Sequence, residues 1–281
     1  MQIPLITQKI ARQLEQAKAD HIDSWLQGIR EQTSLSSKID ILRIGDLRAF
    51  VAPHLQEIGL FNQTIGLGPD NQEALQEVEH FYHHYRVETY RLEINPYHTS
   101  SEFLAYLAVR KFSPSRFGTY LYGTPEHTVF TFSDNTTIRE ITASEVDLFA
   151  TIHVKGYQEA LASVSETQYA LYRESTKVLY HRLGWRLCFM CKNNLPIGMG
   201  MLYTANGIAT FAGGATLPEY RQRGGQTALI QYLLEASAQA HCEIAVAQTS
   251  VGSGSQQNVE RSGMRTAYIA SSWILRDSSL G

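Results

Sequence analysis

The sequence predicts an α/β fold, a mixed central sheet flanked by helices and arranged in two successive parts. Short apolar runs alternate with longer stretches whose apolar residues recur every three or four positions, the pattern of strands followed by covering helices. A chain of 281 residues is long enough for two domains. The polar hinge SDNT at 133–136 sets those domains at 1–135 and 136–281.

Composition narrows the function classes. Hydrophobic residues make up 43% and charged residues 18%, the balance of a globular chain rather than a disordered one. Lys plus Arg number 24 against 27 for Asp plus Glu, a net charge of -3, which argues against a general nucleic-acid binder. The opening MQIPLITQKIARQLEQ lacks the apolar core of a signal peptide. No apolar stretch approaches the ~18 residues of a membrane span. The expectation is a cytoplasmic protein with no membrane and no nucleic-acid partner. Cys188, Cys191 and Cys242 are too few for a disulfide scaffold.

The first element is a helix over 3–30, because Ile3, Ile6, Ile10, Leu14, Ala17, Ile22, Trp25 and Ile29 share one face. The polar run 31–38 is a loop. Strands follow at 39–44, 48–52, 86–94 and 127–132, with helices at 70–83 and 99–110. The turn IGLGPDN at 65–71 leads into the first of these helices. In the second part, 137–142 reads as a strand, Ser144 caps a helix over 145–162, and a further helix covers 166–180. The runs 185–194 and 196–207 form a hairpin closed at Asn193-Asn194. A strand over 208–217, a loop over 218–225 and a helix over 226–241 follow; Ala228, Leu229, Tyr232, Leu233 and Ala236 form the helix's apolar stripe. A strand at 243–250, a short helix at 253–262 and a last strand at 264–275 complete the reading.

The sharpest chemical signal is AGGATLPEYRQRGGQTALIQYLLEA (212–236): a strand, a Gly-containing loop and a helix start. N–H groups in the first turn of a helix have no internal partner, and the helix dipole adds positive charge there, so a phosphate fits. Gly224 and Gly225 clear the approach to the backbone, and Arg221 and Arg223 add charge. The alternative is a surface loop that merely starts a helix. The loop is neither a Walker A sequence nor a dinucleotide fingerprint, since it lacks the Lys-Ser/Thr pair of one and the three-glycine spacing of the other.

This segment resembles the pyrophosphate loop of the GNAT superfamily of acyl-CoA-dependent N-acyltransferases, Arg/Gln-x-x-Gly-x-Gly/Ala, which stands here as Arg221-Gln222-Arg223-Gly224-Gly225-Gln226. The resemblance covers roughly 137–276, with LPEYR (217–221) like the family's strand exit and SVGSGSQQNVERSGMR (250–265) like its closing helix, Gly and strand. It implies an N-acetyltransferase that moves acetyl from acetyl-CoA to the primary amine of a small molecule or peptide, with no metal. Loop 221–226 would hold the pyrophosphate, Ala215, Thr216 and Leu217 would pair with the pantetheine arm, and Thr227 and Asn258 complete the cofactor-binding set. The catalytic base falls to Glu219 or Glu159, with His153 and Tyr157 as further candidates; Tyr169 and Tyr172 either border the acceptor side or pack as aromatics between helices. Two residues depart from the family pattern. Gln226 stands where Gly or Ala is usual, and Val259 stands where many members place a Tyr that protonates the leaving thiolate.

The segments 58–81 and 86–123 parallel 208–241 and 243–275, with Gly66-Leu-Gly68-Pro-Asp replacing the Arg/Gly loop. The first part therefore reads either as a degenerate GNAT-like half, as in the two-part layout of some bacterial members, or as an unrelated α/β cap, and it admits a homodimer. Two other groupings have bland readings. Cys188 and Cys191 read as buried free thiols, and His80, His83 and His84 as the polar end of a helix. The rival functional class is a non-catalytic acyl-CoA-binding or protein-interaction module on the same fold.

Overall fold

The computed structural model describes residues 3–32, 38–56, 58–125, 135–157, 159, 162, 164–221 and 224–276. In chain order the main elements are α1 (Gln8–Gln32), β1 (Asp40–Ile44), β2 (Leu47–Val51), β3 (Gln63–Ile65), α2 (Leu75–His84), β4 (Arg91–Ile94), α3 (Ser101–Val109), β5 (Phe112–Gly123), β6 (Thr136–Glu140), α4 (Val146–Gly156), α5 (Glu166–Lys177), β7 (Trp185–Lys192), β8 (Leu195–Ala205), β9 (Ile208–Thr216), α6 (Gly225–Gln239), β10 (Ile244–Ser250), α7 (Gly254–Arg261) and β11 (Arg265–Leu275). They form two compact units. The N-terminal unit is Leu5–Tyr120 with Ala267–Gly281, and the C-terminal unit is Met1–Pro4 with Leu121–Thr266. The expected strand at 127–132 and the first half of the hinge, 133–134, lie outside the described residues.

In the N-terminal unit the strand order is β1-β2-β3-β4-β11-β5. β3 and β4 run parallel, and β11 pairs antiparallel with β4. Leu47, Val51, Leu75, Val78, Tyr82, Leu92, Phe103 and Trp273 form the core. Helix α1 starts later than the spacing of Ile3 and Ile6 predicts. Thr7 caps it, its Oγ1 accepting from the Ile10 N–H at 3.2 Å, so those two isoleucines precede the helix. Its buried face carries Leu14, Ile22, Trp25 and Ile29, together with buried Glu15, Lys18 and His21. The expected strand at 86–94 shortens to β4, and the helix at 70–83 begins as a 3₁₀ segment, Pro69–Ala74.

The C-terminal unit runs from the end of β5 through β10-β9-β8-β7-β6. β6 to β9 are antiparallel neighbours, and the β9–α6–β10 crossover makes a parallel pair. Asn193 and Asn194 both take left-handed φ, +49° and +66°, as a two-residue primed hairpin turn requires. Cys188, Leu202, Leu229, Leu233, Ala245, Val259 and Met264 pack together as the core. Two helix starts and stops differ from expectation. Thr142, not Ser144, caps the segment leading into α4, because Glu145 reaches back to the Thr142 N–H at 2.9 Å and completes a capping box. Helix α4 then ends at Gly156 rather than 162. A Cβ at Gly156 would sit 2.5 Å from the Ala215 Cβ, so glycine permits the helix end to lie against β9. Among the described residues no helix is long and apolar enough to cross a membrane.

Candidate active site

The site begins with a defect in a strand. Opposite β8, Met201 pairs with Gly213 but Leu202 pairs with Phe211, so Ala212 is an extra, bulged residue. On the other edge the register with β10 ends at Phe211 and Ala247, although β9 continues to Thr216. The two strands therefore part company at the bulge. Past it, backbone groups of β9 face away from β8 with no β10 strand to meet them.

One of those residues has found a side chain. The Gly214 N–H donates to the Tyr157 hydroxyl at 3.1 Å, and that hydroxyl donates to the Gly214 carbonyl at 3.2 Å. Tyr157 is the residue just past α4. Burial raises its phenol above the ordinary value.

Beyond β9 the chain makes one 3₁₀ turn, Pro218–Tyr220, and reaches Arg221. The Arg221 guanidinium points back into the fold. It donates to the Thr216 carbonyl at 3.2 Å and to the Gly156 carbonyl at 3.0 Å, and pairs with Glu159 at 2.7 Å. Arg221 thus ties the end of β9 to the end of α4. Gln222 and Arg223 lie outside the described residues.

Helix α6 then opens on Gly224, whose φ of +77° suits glycine, and no side chain caps it among the described residues. A Cβ on Gly224 would meet nothing within 4 Å, whereas one on Gly225 would sit 2.7 Å from the Met190 sulfur. The first glycine leaves the helix start open, and the second lets it approach β7. Gln226 does not reach across this opening. Its amide is held by α7, donating to Ser255 Oγ at 3.1 Å and accepting from Asn258 Nδ2 at 2.6 Å.

These pieces line one cleft of about 630 Å³. Its walls are the end of β9 (Gly214, Ala215, Thr216), Gly156, Tyr157 and Glu159, the start of α6 (Gly224, Gly225, Gln226, Thr227), and α7 residues including Ser255 and Asn258. Leu217 is not among the lining residues; its N–H bonds the Ile197 carbonyl at 2.9 Å. Glu219 is exposed on the 3₁₀ turn and outside the lining. His153 is enclosed between α4 and α5, with Nδ1 2.9 Å from Thr176 Oγ1 and Nε2 3.3 Å from the Tyr172 hydroxyl. Burial holds its imidazole neutral, with a pKa lowered to about 3. Tyr172 is therefore a packing partner of His153. Val259 is buried against Leu229 and Met264.

Two features of the site escaped the sequence reading, the bulge at Ala212 and the link from Tyr157 to Gly214. The run Ala212-Gly213-Gly214 inside a strand was an available sign of the first, since small residues in strand interiors mark bulges and close approaches. Elsewhere, His80, His83 and His84 are exposed at the end of α2, and Cys188 and Cys191 are free and buried.

Solved structures share this fold. A GCN5-related N-acetyltransferase from Kribbella flavida superimposes with a TM-score of 0.61 at 16% identity, over 93% of this chain and 96% of that one. A functionally unknown conserved protein from Staphylococcus epidermidis gives 0.62 at 10% identity, over 89% and 99%. A tandem GNAT protein from the clavulanic acid biosynthesis pathway gives 0.53 at 12%, over 91% and 94%. No protein-family model and no curated protein matches the sequence. The protein has the GNAT-superfamily fold in its two-part form, with a large mixed sheet flanked by helices.

Proposed function

We propose that this protein is an acyl-CoA-dependent N-acyltransferase of the cytoplasm, transferring acetyl from acetyl-CoA to the primary amine of a small molecule or peptide, with 136–281 as the catalytic domain. One observation carries the reading. The end of β9, freed from β10 at the bulge, and the uncapped start of α6 line the same cleft. The first supplies strand backbone that β10 does not pair, held at Gly214 only by the Tyr157 hydroxyl, for an extended amide-bearing arm to meet. The second supplies N–H groups and the positive end of a helix for a pyrophosphate. A volume of about 630 Å³ is in the range of small-molecule and cofactor pockets.

In this reading the backbone of Gly224, Gly225, Gln226 and Thr227 holds the pyrophosphate, with Gln222 and Arg223 in the same loop. Ala215 and Thr216 run along the pantetheine arm, and Asn258 supports Gln226 from α7. The neutral amine attacks the thioester carbon, the C–S bond breaks, and the thiolate leaves, the proton that the nitrogen sheds on becoming an amide passing through water to the thiol. Glu159, which lines the cleft, takes the ammonium proton beforehand, and a backbone N–H of β9 stabilises the developing oxyanion. Holding both reactants in one cleft supplies much of the rate.

A second reading, a non-catalytic acyl-CoA-binding module, is favoured by Val259, whose buried alkyl side chain offers no proton to a leaving thiolate. Thermal unfolding with acetyl-CoA, CoA and dephospho-CoA tests both. A ligand at ~100 times its Kd adds roughly 2.7 kcal/mol. Stabilisation with thiol release on adding amines supports the enzyme, and stabilisation without it supports the module. No stabilisation by millimolar acetyl-CoA overturns both. Gly224→Trp, which fills the open helix start, is expected to abolish the response; an unchanged response overturns the loop assignment.

A further inference from the structure

The N-terminal unit repeats the strand and helix order of the site just described and has a cleft of its own. β3 runs parallel to β4, with Gln63 paired to Arg91 and Thr64 to Leu92, and a helical segment follows β3 as α6 follows β9. The carboxyl ends of parallel strands are where such folds take ligands. Here that end opens into a cleft of about 250 Å³, lined by Gly66, Asp70 and His98 and, from α1, by Arg12, Glu15 and Gln16.

Its chemistry differs from that of the α6 site. Pro69 removes one N–H from the first turn of the helical segment, and Asp70 places a carboxylate there. Asn71 closes the turn, its side chain accepting from the Gly68 N–H at 2.8 Å and donating to the Gly66 carbonyl at 2.9 Å. A phosphate therefore finds neither free N–H groups nor a positive field.

The cleft holds two buried polar atoms without a partner, Glu15 Oε1 and Arg12 Nε. Glu15 is only 2% exposed. Burial and the nearby Glu93 carboxylate push its carboxyl up to about 8, against the opposing pull of the Arg12 guanidinium. The remaining Arg12 contacts go through NH2, to Asp70 Oδ2 at 2.8 Å and His98 Nε2 at 2.8 Å, and leave Nε–H as a donor. Leaving such groups unpaired costs stability that a bound partner would restore. An anion alone would serve Arg12 but face Glu15 and Asp70. A cation alone would serve Glu15 but leave the Arg12 donor. A zwitterion serves both. The volume equals about eight liquid waters, which admits a small amphoteric molecule and excludes a nucleotide.

We propose that this cleft binds a free α-amino acid, with its ammonium toward Glu15 and its carboxylate toward Arg12. The site is separate from the α6 cleft and does not depend on the acyl-transfer reading.

Titration calorimetry on the full chain tests it, using each of the twenty L-amino acids, with ethylamine and acetate as single-function probes. At least one amino acid is expected to bind, about tenfold or more tighter than either probe. Glu15→Gln, close to isosteric, is expected to weaken that binding about tenfold. Gln16→Phe, which blocks the mouth from a half-buried helix position, is expected to abolish it. Neither variant should alter the thermal response to acetyl-CoA, which also reports that both variants fold. The proposal is overturned if no amino acid binds at millimolar concentration, if ethylamine or acetate binds as well as any amino acid, or if binding persists unchanged in both variants.

Discussion

Tyr157→Phe separates two roles of one hydroxyl. In the folded protein that hydroxyl accepts from Gly214 N–H at 3.1 Å and donates to Gly214 C=O at 3.2 Å, where β9 has left β10. Phenylalanine keeps the ring, which packs edge-on against His153 at 5.4 Å, and deletes only the two hydrogen bonds. Each is worth roughly 1 kcal/mol net, and the cleft lets water replace part of the loss, so stability should fall by about 1–2 kcal/mol. For a unit of this size that is roughly 2–8 °C in Tm. Ligand binding should move the other way. If the acyl-CoA reading holds, the thioester-bearing arm competes with Tyr157 for the Gly214 amide, and deleting the competitor returns about 1 kcal/mol, close to a fivefold tighter Kd. The assay is calorimetric titration of wild type and variant with acetyl-CoA, beside thermal unfolding of both without ligand. A less stable variant that binds acetyl-CoA equally or more weakly would refute the role given to the Gly214 amide.

Arg221→Ala removes the clasp between β9 and α4. The guanidinium is about a third exposed, so its two carbonyl bonds and its pairing with Glu159 together are worth about 2 kcal/mol after screening. Arg221→Lys should restore only part, because one ammonium cannot reproduce the fork; denaturant midpoints of the three proteins check this. Acid should weaken the fold through His153. Its folded pKa of about 3 lies below the unfolded 6.5, so its contribution is complete above pH 6.5 and is lost as pH falls toward 3. Between pH 6.5 and 5 the loss from this residue is on the order of 2 kcal/mol, and His153→Asn should flatten that part of the stability curve; parallel slopes would contradict it.

The elements legible in the sequence were those whose signals are local. The Asn193-Asn194 turn needs left-handed φ twice, and asparagine tolerates that. The apolar stripe of α6 is a periodicity, and Leu229, Leu233 and Ala236 are buried as it predicts. The Gly-containing helix start was visible because open φ and missing side chains are written in the residue types. What stayed hidden depends on partners distant in the chain. Helix α4 stops at Gly156 because β9 lies against it, although the apolar pattern runs on. The bulge at Ala212 exists only as a mismatch between two strands. Where the Arg221 side chain turns is decided by the carbonyls of Thr216 and Gly156, one of them on another element. Glu15 fits the helix pattern as an ordinary polar position, and only the packed sheet makes it a buried acid.

The interleaving of the two units has a consequence for how such a chain can be inherited. β11 begins in one unit at Arg265 and Thr266 and continues in the other from Ala267, where it lies between β4 and β5. The N-terminal unit thus draws an internal strand from beyond the whole of the C-terminal unit's sheet in the sequence. A cut at the hinge would give a front half with a gap in its sheet and a back half carrying an orphaned strand. Any exchange of one half for another would have to carry β11 with the half whose sheet it completes.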